Sequence, residues 1–206
     1  MARESANAPY LRNAWYVALF DDELEMGLLA RTIMDEPIAF FRGVDGKVNA
    51  VEDRCCHRGA ALTDGKVIET GLQCGYHGLV FNGKGECVEI PGQDAIPPMA
   101  KIKYYPVVER HEIIWIWMGD PALARISDIL DWPYLDSPDW SYKPSYIHYK
   151  ANYLLIIDNL LDFSHLSFVH ENTLGSVSLA ETRAQIDQTP FGLRITRVLD
   201  NDIPPA

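Results

Sequence analysis

The chain has no long apolar run, no surplus of positive charge and few cysteines, and each shortage narrows the functions open to it. Its longest uninterrupted apolar segment, Ile113 to Met118, is far shorter than the roughly 20 residues that a membrane-spanning helix needs. Met1 to Tyr10 holds no apolar stretch of the secretory-signal kind, so the expected location is cytoplasmic. Lys and Arg total 18 against 29 Asp and Glu, a net charge of −11. That balance argues against nucleic acid and anionic membranes as partners. There is no internal repeat or low-complexity tract. What is present is ordinary for a folded globular chain: 206 residues, 48% hydrophobic and 23% charged, enough for one or two domains.

From Asn13 to about Asp120 the chain reads as short strands rich in aromatic and β-branched residues. Candidates are Trp15–Phe20, Ile38–Arg42, Val48–Glu52, Leu79–Asn82, Cys87–Ile90, Tyr104–Glu109 and Ile113–Met118. Asp45-Gly46 and Asn82-Gly83, the latter opening Gly83-Lys84-Gly85, mark tight turns between them. The expectation is a small antiparallel β domain over residues 10–120, with Trp115 and Trp117 alternating as strand packing. A second domain is expected over 121–206. It opens with a connecting region punctuated by Pro121, Pro133, Pro138 and Pro144. Tyr149 to His170 is apolar nearly all round and predicts a buried helix. Leu193 to Leu199 predicts one more strand. The end, Ile203-Pro204-Pro205-Ala206, has no closing element, which suggests a truncated chain.

The four cysteines stand at 55, 56, 74 and 87, and such spacing favours metal or redox chemistry over a disulfide framework. Cys55-Cys56-His57 and Cys74-Gly75-Tyr76-His77 form C-x-H and C-x-x-H. Two thiolates and two imidazoles suit either a tetrahedral zinc ion or a Rieske 2Fe-2S cluster. Zinc modules more often pair cysteine with cysteine and histidine with histidine along the chain. Here each turn supplies one of each, which two metal ions a few ångströms apart accommodate easily. Gly59, Gly65, Gly75 and Gly78 allow backbone to pass close to inorganic sulfide, and Pro91-Gly92 is a candidate third covering loop. Cys87 has no partner by spacing and reads as a small buried strand residue.

Polar residues interrupt the apolar stretch at Asp158, Asn159, Asp162, His165 and His170. Buried carboxylates are costly unless paired or bound to metal. Asp158, Asp162 and His165, spaced i, i+4, i+7, would share one helical face. His170 reaches His165 only if the helix bends, bulges or ends between them. Two histidines point to a 2-His-1-carboxylate site for non-haem Fe(II).

Cys55-x-His57-Arg58-Gly59 and Cys74-Gly75-Tyr76-His77-Gly78-Leu79 resemble the Rieske motif of the Rieske non-haem iron oxygenases. Asn159-x-x-Asp162-x-x-His165-x₄-His170 resembles the mononuclear-iron segment of the same family. Arg12-Asn13-Ala14-Trp15-Tyr16-Val17-Ala18, Pro106 to Arg110 and Trp115 to Pro121 are similar to its vanillate and dicamba O-demethylase branch. The resemblance covers the whole chain. It departs at Cys56, where the family usually has proline, so Cys56 could replace it silently, compete as a ligand or oxidise.

The resemblance implies an α+β fold class, an all-β Rieske domain followed by the beginning of an α+β catalytic domain. It implies a 2Fe-2S cluster on Cys55, His57, Cys74 and His77, and mononuclear Fe(II) on His165 and His170. Asp162 is implied to bridge towards a Rieske histidine of a neighbouring subunit, and Asn159 is the nearby active-site amide. The third, carboxylate ligand lies far downstream in the family. Only 36 residues follow His170 here, and Glu171, Glu181, Asp187, Asp200 and Asp202 do not fit its position. The implied activity is the terminal oxygenase of a monooxygenase system. It would use O₂ and electrons from a reductase or ferredoxin on a small aromatic compound, and would work as a homotrimer in aromatic catabolism. In the demethylase branch a hydroxylated methyl ether collapses with loss of formaldehyde. The alternatives are a ring-dihydroxylating dioxygenase, a Rieske-type electron-transfer protein and a zinc-stabilised binding module.

Overall fold

The computed structural model describes residues 10–25, 27–171, 173–189, 192–200 and 202. The expected tail Ile203 to Ala206 lies outside them. The chain divides into two compact units, Met1–Pro144 and Ser145–Ala206.

The first unit is built from antiparallel strands. β1 (Ala14–Phe20), β10 (Val107–Arg110) and β11 (Ile113–Met118) form one sheet in the order β1-β11-β10. β2 (Leu28–Ile33), β3 (Glu36–Arg42), β4 (Val48–Glu52) and β9 (Tyr104–Tyr105) form a second, in chain order. β5 (Lys66–Ile68), β6 (Gly71–Gln73), β7 (Val80–Phe81) and β8 (Cys87–Glu89) form a third. The predicted strand over Tyr104–Glu109 is two strands in two sheets. Pro106 separates them, because it has no N–H to continue a ladder; its carbonyl accepts from Trp117 instead.

Side-chain alternation places the cores. In β3, Ala39 and Phe41 enter a core with Cys55, Leu72, Cys74 and Phe81, while Ile38 and Phe40 enter another with Ile114, Ile116 and Met118. A strand covered on both faces reads as a continuous apolar run, which is why Ile38-Ala39-Phe40-Phe41 shows no polar interruption. Burial of each Phe contributes about 1.5–3 kcal/mol. β11 behaves likewise. Trp115 turns to a third cluster with Ile113 and Ile129, while Ile114 and Ile116 turn to the second. The expected alternation of Trp115 and Trp117 is observed, with both faces buried.

The segment after Asp120 stays with the first unit. Ile129, Trp132 and Leu135 pack on the Trp115 cluster, so the division between units falls beyond the expected boundary at 120. Three consecutive residues at the β10–β11 turn hold this segment. Arg110 donates to the Ile129 carbonyl and Asp131, His111 faces Asp136 at 2.6 Å and accepts from the Trp132 N–H, and Tyr142 donates to Glu112.

The second unit holds α1 (Tyr153–Leu161), α2 (Leu166–Val169), α3 (Val177–Glu181) and an antiparallel hairpin, β12 (Gln185–Thr189) with β13 (Gly192–Thr196). The expected buried helix over Tyr149–His170 is not found as such. It is two helices, and Leu155, Leu160 and Val169 are 64%, 66% and 70% exposed. A helix apolar all round needs cover on every side, and short helices with one hairpin do not form a layer that supplies it. No helix among the described residues is long and apolar enough to cross a membrane.

Candidate functional site

Two loops carry the cysteine–histidine motifs, and both close in the same way. In the first, the Cys55 N–H donates to the Ala60 carbonyl, and the Gly59 N–H donates to the Cys55 carbonyl. In the second, the Cys74 N–H donates to the Leu79 carbonyl and the Gly78 N–H to the Cys74 carbonyl. Gly59 and Gly78 adopt φ of +72° and +78°, the left-handed region that glycine enters without cost. The histidine stands two residues after the cysteine in one loop and three after it in the other, so equal loops offer unequal ligand spacing. The loops also approach tightly. A Cβ on Gly75 would lie 2.6 Å from the Asp64 carbonyl oxygen, and one on Gly78 would lie 2.9 Å from Pro91 Cγ. The latter places Pro91 over the second loop, as expected of a third covering loop. The Asp53 carboxylate accepts from the Thr63 N–H and hydroxyl, tying the approach to the first loop onto the turn at 62–64.

This framework sorts the donors by type. Cys55 and Cys74 are both buried, each 3% exposed, and face each other closely enough to interact as thiols. Burial pushes the Cys55 thiol up to about 11; the His57 backbone N–H directed at its sulfur opposes this, and Cys74 alongside adds to it. The His57 and His77 rings lie together at 4.6 Å between centroids, with Tyr76 stacked on His77 at 3.9 Å. Thiols gather with thiols and imidazoles with imidazoles. That is the donor division of a Rieske cluster, one iron on two sulfurs and the other on two nitrogens, and the residues fit that group. The backbone N–H directed at sulfur is the kind of contact that tunes such a centre. No three His, Cys, Asp or Glu side chains among the described residues are grouped to hold a single ion.

Cys87 is buried in β8 with the core, its thiol 3.4 Å from the Glu89 carbonyl, as expected of a packing residue. Cys56 is exposed, unlike the other three cysteines. Burial of its sulfur and the neighbouring Cys87 raise its pKa.

The second constellation assembles differently from the expected single helical face. α1 ends at Leu161 and Asp162 caps it in an extended conformation. Asp162 accepts from the Ser164 N–H at 2.8 Å and from its hydroxyl, a local turn that competes with helix continuation. The Ser164 hydroxyl and N–H hold the Asp162 carboxyl below its usual range. Asp158, Asp162 and His165 therefore do not share one helix. His165 begins α2 and His170 ends it, and their rings meet at 5.4 Å between centroids. His165 Nδ1 is buried without a hydrogen-bond partner, 3.7 Å from Asp162 Oδ2, and Nε2 lies 3.5 Å from Asn159 Nδ2. Two adjacent imidazoles with an orphaned buried nitrogen fit two of the three positions of a 2-His-1-carboxylate site. Of the downstream carboxylates, Asp202 accepts from the Ser176 and Ser178 hydroxyls, and Asp187 from Gln185. None of them joins the pair among the described residues.

Sequence reasoning missed Asp53, Ala60 and Leu79 as loop closers. Two of these act through backbone carbonyls, which leave no residue-type signal. Tyr76 was legible only as a neighbour of His77.

Residues 14–106 match the Rieske 2Fe-2S domain and residues 149–206 the vanillate O-demethylase oxygenase C-terminal domain. The chain is 52% identical to the iron-sulfur subunit of the toluene-4-sulfonate monooxygenase system of Comamonas testosteroni, over 94% of this chain and 57% of that one. It is 46% identical to the oxygenase component of dicamba O-demethylase of Stenotrophomonas maltophilia, over 78% of this chain and 48% of that one. A crystal structure of dicamba monooxygenase bound to dicamba superposes with a TM-score of 0.87 at 38% identity, over 95% of this chain and 59% of that one. The chain thus spans about half the length of the relatives it matches. With both domains matched in order, it belongs to the Rieske non-haem iron oxygenases, carrying a 2Fe-2S Rieske domain followed by a segment of the vanillate O-demethylase type of C-terminal domain.

Proposed function

We propose that the chain is the oxygenase component of a multicomponent monooxygenase acting on a small aromatic compound by O-demethylation or hydroxylation. The carrying observation is the sorting of donors into a buried thiol pair and an exposed imidazole pair by two identically closed loops. In this reading Cys55 and Cys74 hold one iron of the 2Fe-2S cluster, and His57 and His77 the other. His165 and His170 hold mononuclear Fe(II). When bound, the cluster supplies one-electron transfer and the ferrous ion supplies O₂ activation. The protein's own part is positional. The thiol pair sits in the first core, which keeps water from the sulfur side. Asp162, fixed by Ser164, places a negative charge 3.7 Å from His165 Nδ1 without bonding to it. Asn159 holds the opposite edge of the same ring.

The names of the relatives as a system's subunit and an oxygenase component support a separate electron source, a reductase or ferredoxin, and the homotrimer and cytoplasmic location are carried from the family resemblance alone. The proposed functional domains are 10–120 and 121–206, although the stretch up to Pro144 packs with the first compact unit. Iron and acid-labile sulfide analysis, with visible absorption and EPR before and after reduction, tests the reading. Two sulfides per chain and a reduction-dependent EPR signal are expected. A colourless, zinc-loaded protein overturns it.

A further inference from the structure

Among the described residues, His111 is the only polar or charged residue that the fold buries, at 7% exposure, and it lies outside both histidine constellations. It stands on the two-residue turn between β10 and β11, where Arg110 pairs with Ile113. His111 and Glu112 take φ of +60° and +58°, the left-handed region that residues other than glycine enter only where the surroundings hold them. Both side chains bond to the segment that follows β11: Glu112 to Tyr142, and His111 to Asp136 and Trp132. The two ring nitrogens have opposite tasks. Nδ1 faces a carboxylate oxygen of Asp136 at 2.6 Å, an acceptor, so Nδ1 carries the proton. Nε2 faces the Trp132 N–H at 3.2 Å, a donor, so Nε2 is bare and the ring is neutral in this arrangement. A second proton would set the Nε2–H against the Trp132 N–H, donor against donor. An acceptor for it stands close by: Asp131 Oδ1, 3.5 Å from Nε2 and holding Arg110 at 2.6 Å. The charged groups around the ring are Asp136 and Asp131 on the segment, Arg110 and Glu112 on the turn, and Asp21 just after β1, whose N–H donates to the Glu112 carbonyl.

We infer that His111 is a pH-operated clasp on the segment 129–142. Neutral, it ties both Trp132 and Asp136 to the turn. Protonated, it keeps Asp136 through a charge-assisted bond, turns its second N–H to Asp131 and releases the Trp132 N–H. The proton comes from solvent, which reaches the site along Asp131 and Asp136, whose side chains are 70% and 62% exposed. Release at Trp132 matters because its ring packs against Trp115, 5.7 Å between centroids, and stands with Ile129 and Leu135 in the third cluster. Freeing its backbone loosens the hold of that cluster on the segment. The segment runs on to Pro144, and the second unit begins at Ser145. Each residue released therefore lengthens the free link between the two units.

The test is amide hydrogen exchange in the full chain loaded with iron and sulfide, at about pH 8 and about pH 5.5, with rates corrected for their intrinsic pH dependence. The protection factor of the Trp132 amide should fall about tenfold at the lower pH, the loss of one hydrogen bond. Those of Ile114 and Ile116, in the ladder of β11 with β1 and β10, should hold steady. In His111→Gln, neutral at both pH values, Trp132 protection should be the same at both. Glu112→Gln should leave the wild-type response in place, because the Tyr142 bond is not the one that switches. Trp132 protection that is flat with pH in the wild type overturns the clasp. So does a response that survives unchanged in His111→Gln, or one abolished in Glu112→Gln, because a carboxylate and not the ring then titrates. Should His111→Gln fail to fold, nitrogen NMR of wild-type protein labelled at histidine decides. A proton on Nδ1 alone at the higher pH and on both nitrogens at the lower, with the Trp132 amide signal moving in the same step, supports the clasp. A proton on Nε2 at the higher pH, or a ring that does not change, overturns it.

Discussion

Cys55, Cys74 and Cys87 share one core, and all three are nearly inaccessible to solvent. Burial therefore does not separate ligand from filler; the partner does. Cys55 faces Cys74, whereas Cys87 faces the Glu89 carbonyl. Cys55→Ser should abolish the visible cluster spectrum. Cys87→Ser should retain it, at a cost of about 1 kcal/mol for a buried hydroxyl that has only the Glu89 carbonyl to bond, read as a lowered midpoint in denaturant. At the second centre, His165→Ala should keep the cluster signal and eliminate O₂-dependent product formation in the complete oxygenase. Retained turnover would show that His165 does not hold the iron.

Glu36 sets a pH dependence. Burial opposes its ionisation, but hydrogen bonds from Lys103, Tyr105 and Arg12 outweigh that and lower its pKa to about 2. A depressed carboxylate stabilises the fold above its unfolded pKa and loses that contribution as pH falls through the folded one. Stability should thus fall between about pH 5 and 2, and Glu36→Gln should flatten that part of the thermal-midpoint profile. The pairing was not legible in the sequence, because Arg12, Lys103 and Tyr105 stand 24, 67 and 69 residues away. The cluster donors were legible because each loop carries its own motif within four residues.

At the scale of elements, the loops depend on close backbone approach more than on side-chain packing. Gly75→Ala would press a methyl group onto the Asp64 carbonyl, a contact of backbone on backbone that neither loop relieves without moving. The variant should lose the cluster while the far-UV spectrum of the β domain persists. The glycines were visible beforehand as flanks; which carbonyl each one meets was not. The strands show the same limit. β3 and β11 announced themselves through unbroken apolar runs, but β5 and β6, three residues each, are too short for a period-2 pattern to register. The apolar stretch from Tyr149 to His170 carried a strong helical signal that hid its interruption. The break comes from Asp162 and Ser164, which satisfy one another locally where the helix would otherwise continue.

At the scale of the molecule, Met1–Pro144 has its own cores and its own donor set. A fragment of residues 1–144 should fold, bind iron and sulfide and show the same visible spectrum as the full chain. A fragment that aggregates or fails to load would mean that the second unit contributes to the β domain's stability. The exposed apolar residues of Ser145–Ala206, Leu155 and Phe168 among them, predict the reverse for that unit: expressed alone, it should bind hydrophobic dyes and aggregate.

The sequence by itself determined the donor identities, their spacing, the glycines that let the loops turn and the alternation that builds two of the cores. These are local properties, set by chemistry and chain geometry within a few residues. Tertiary structure alone decided that thiol meets thiol and imidazole meets imidazole, and that Arg12, Lys103 and Tyr105 converge on Glu36. Each of those outcomes depends on segments far apart in the chain being packed against one another, and no local pattern encodes which distant backbone or charge will be the neighbour.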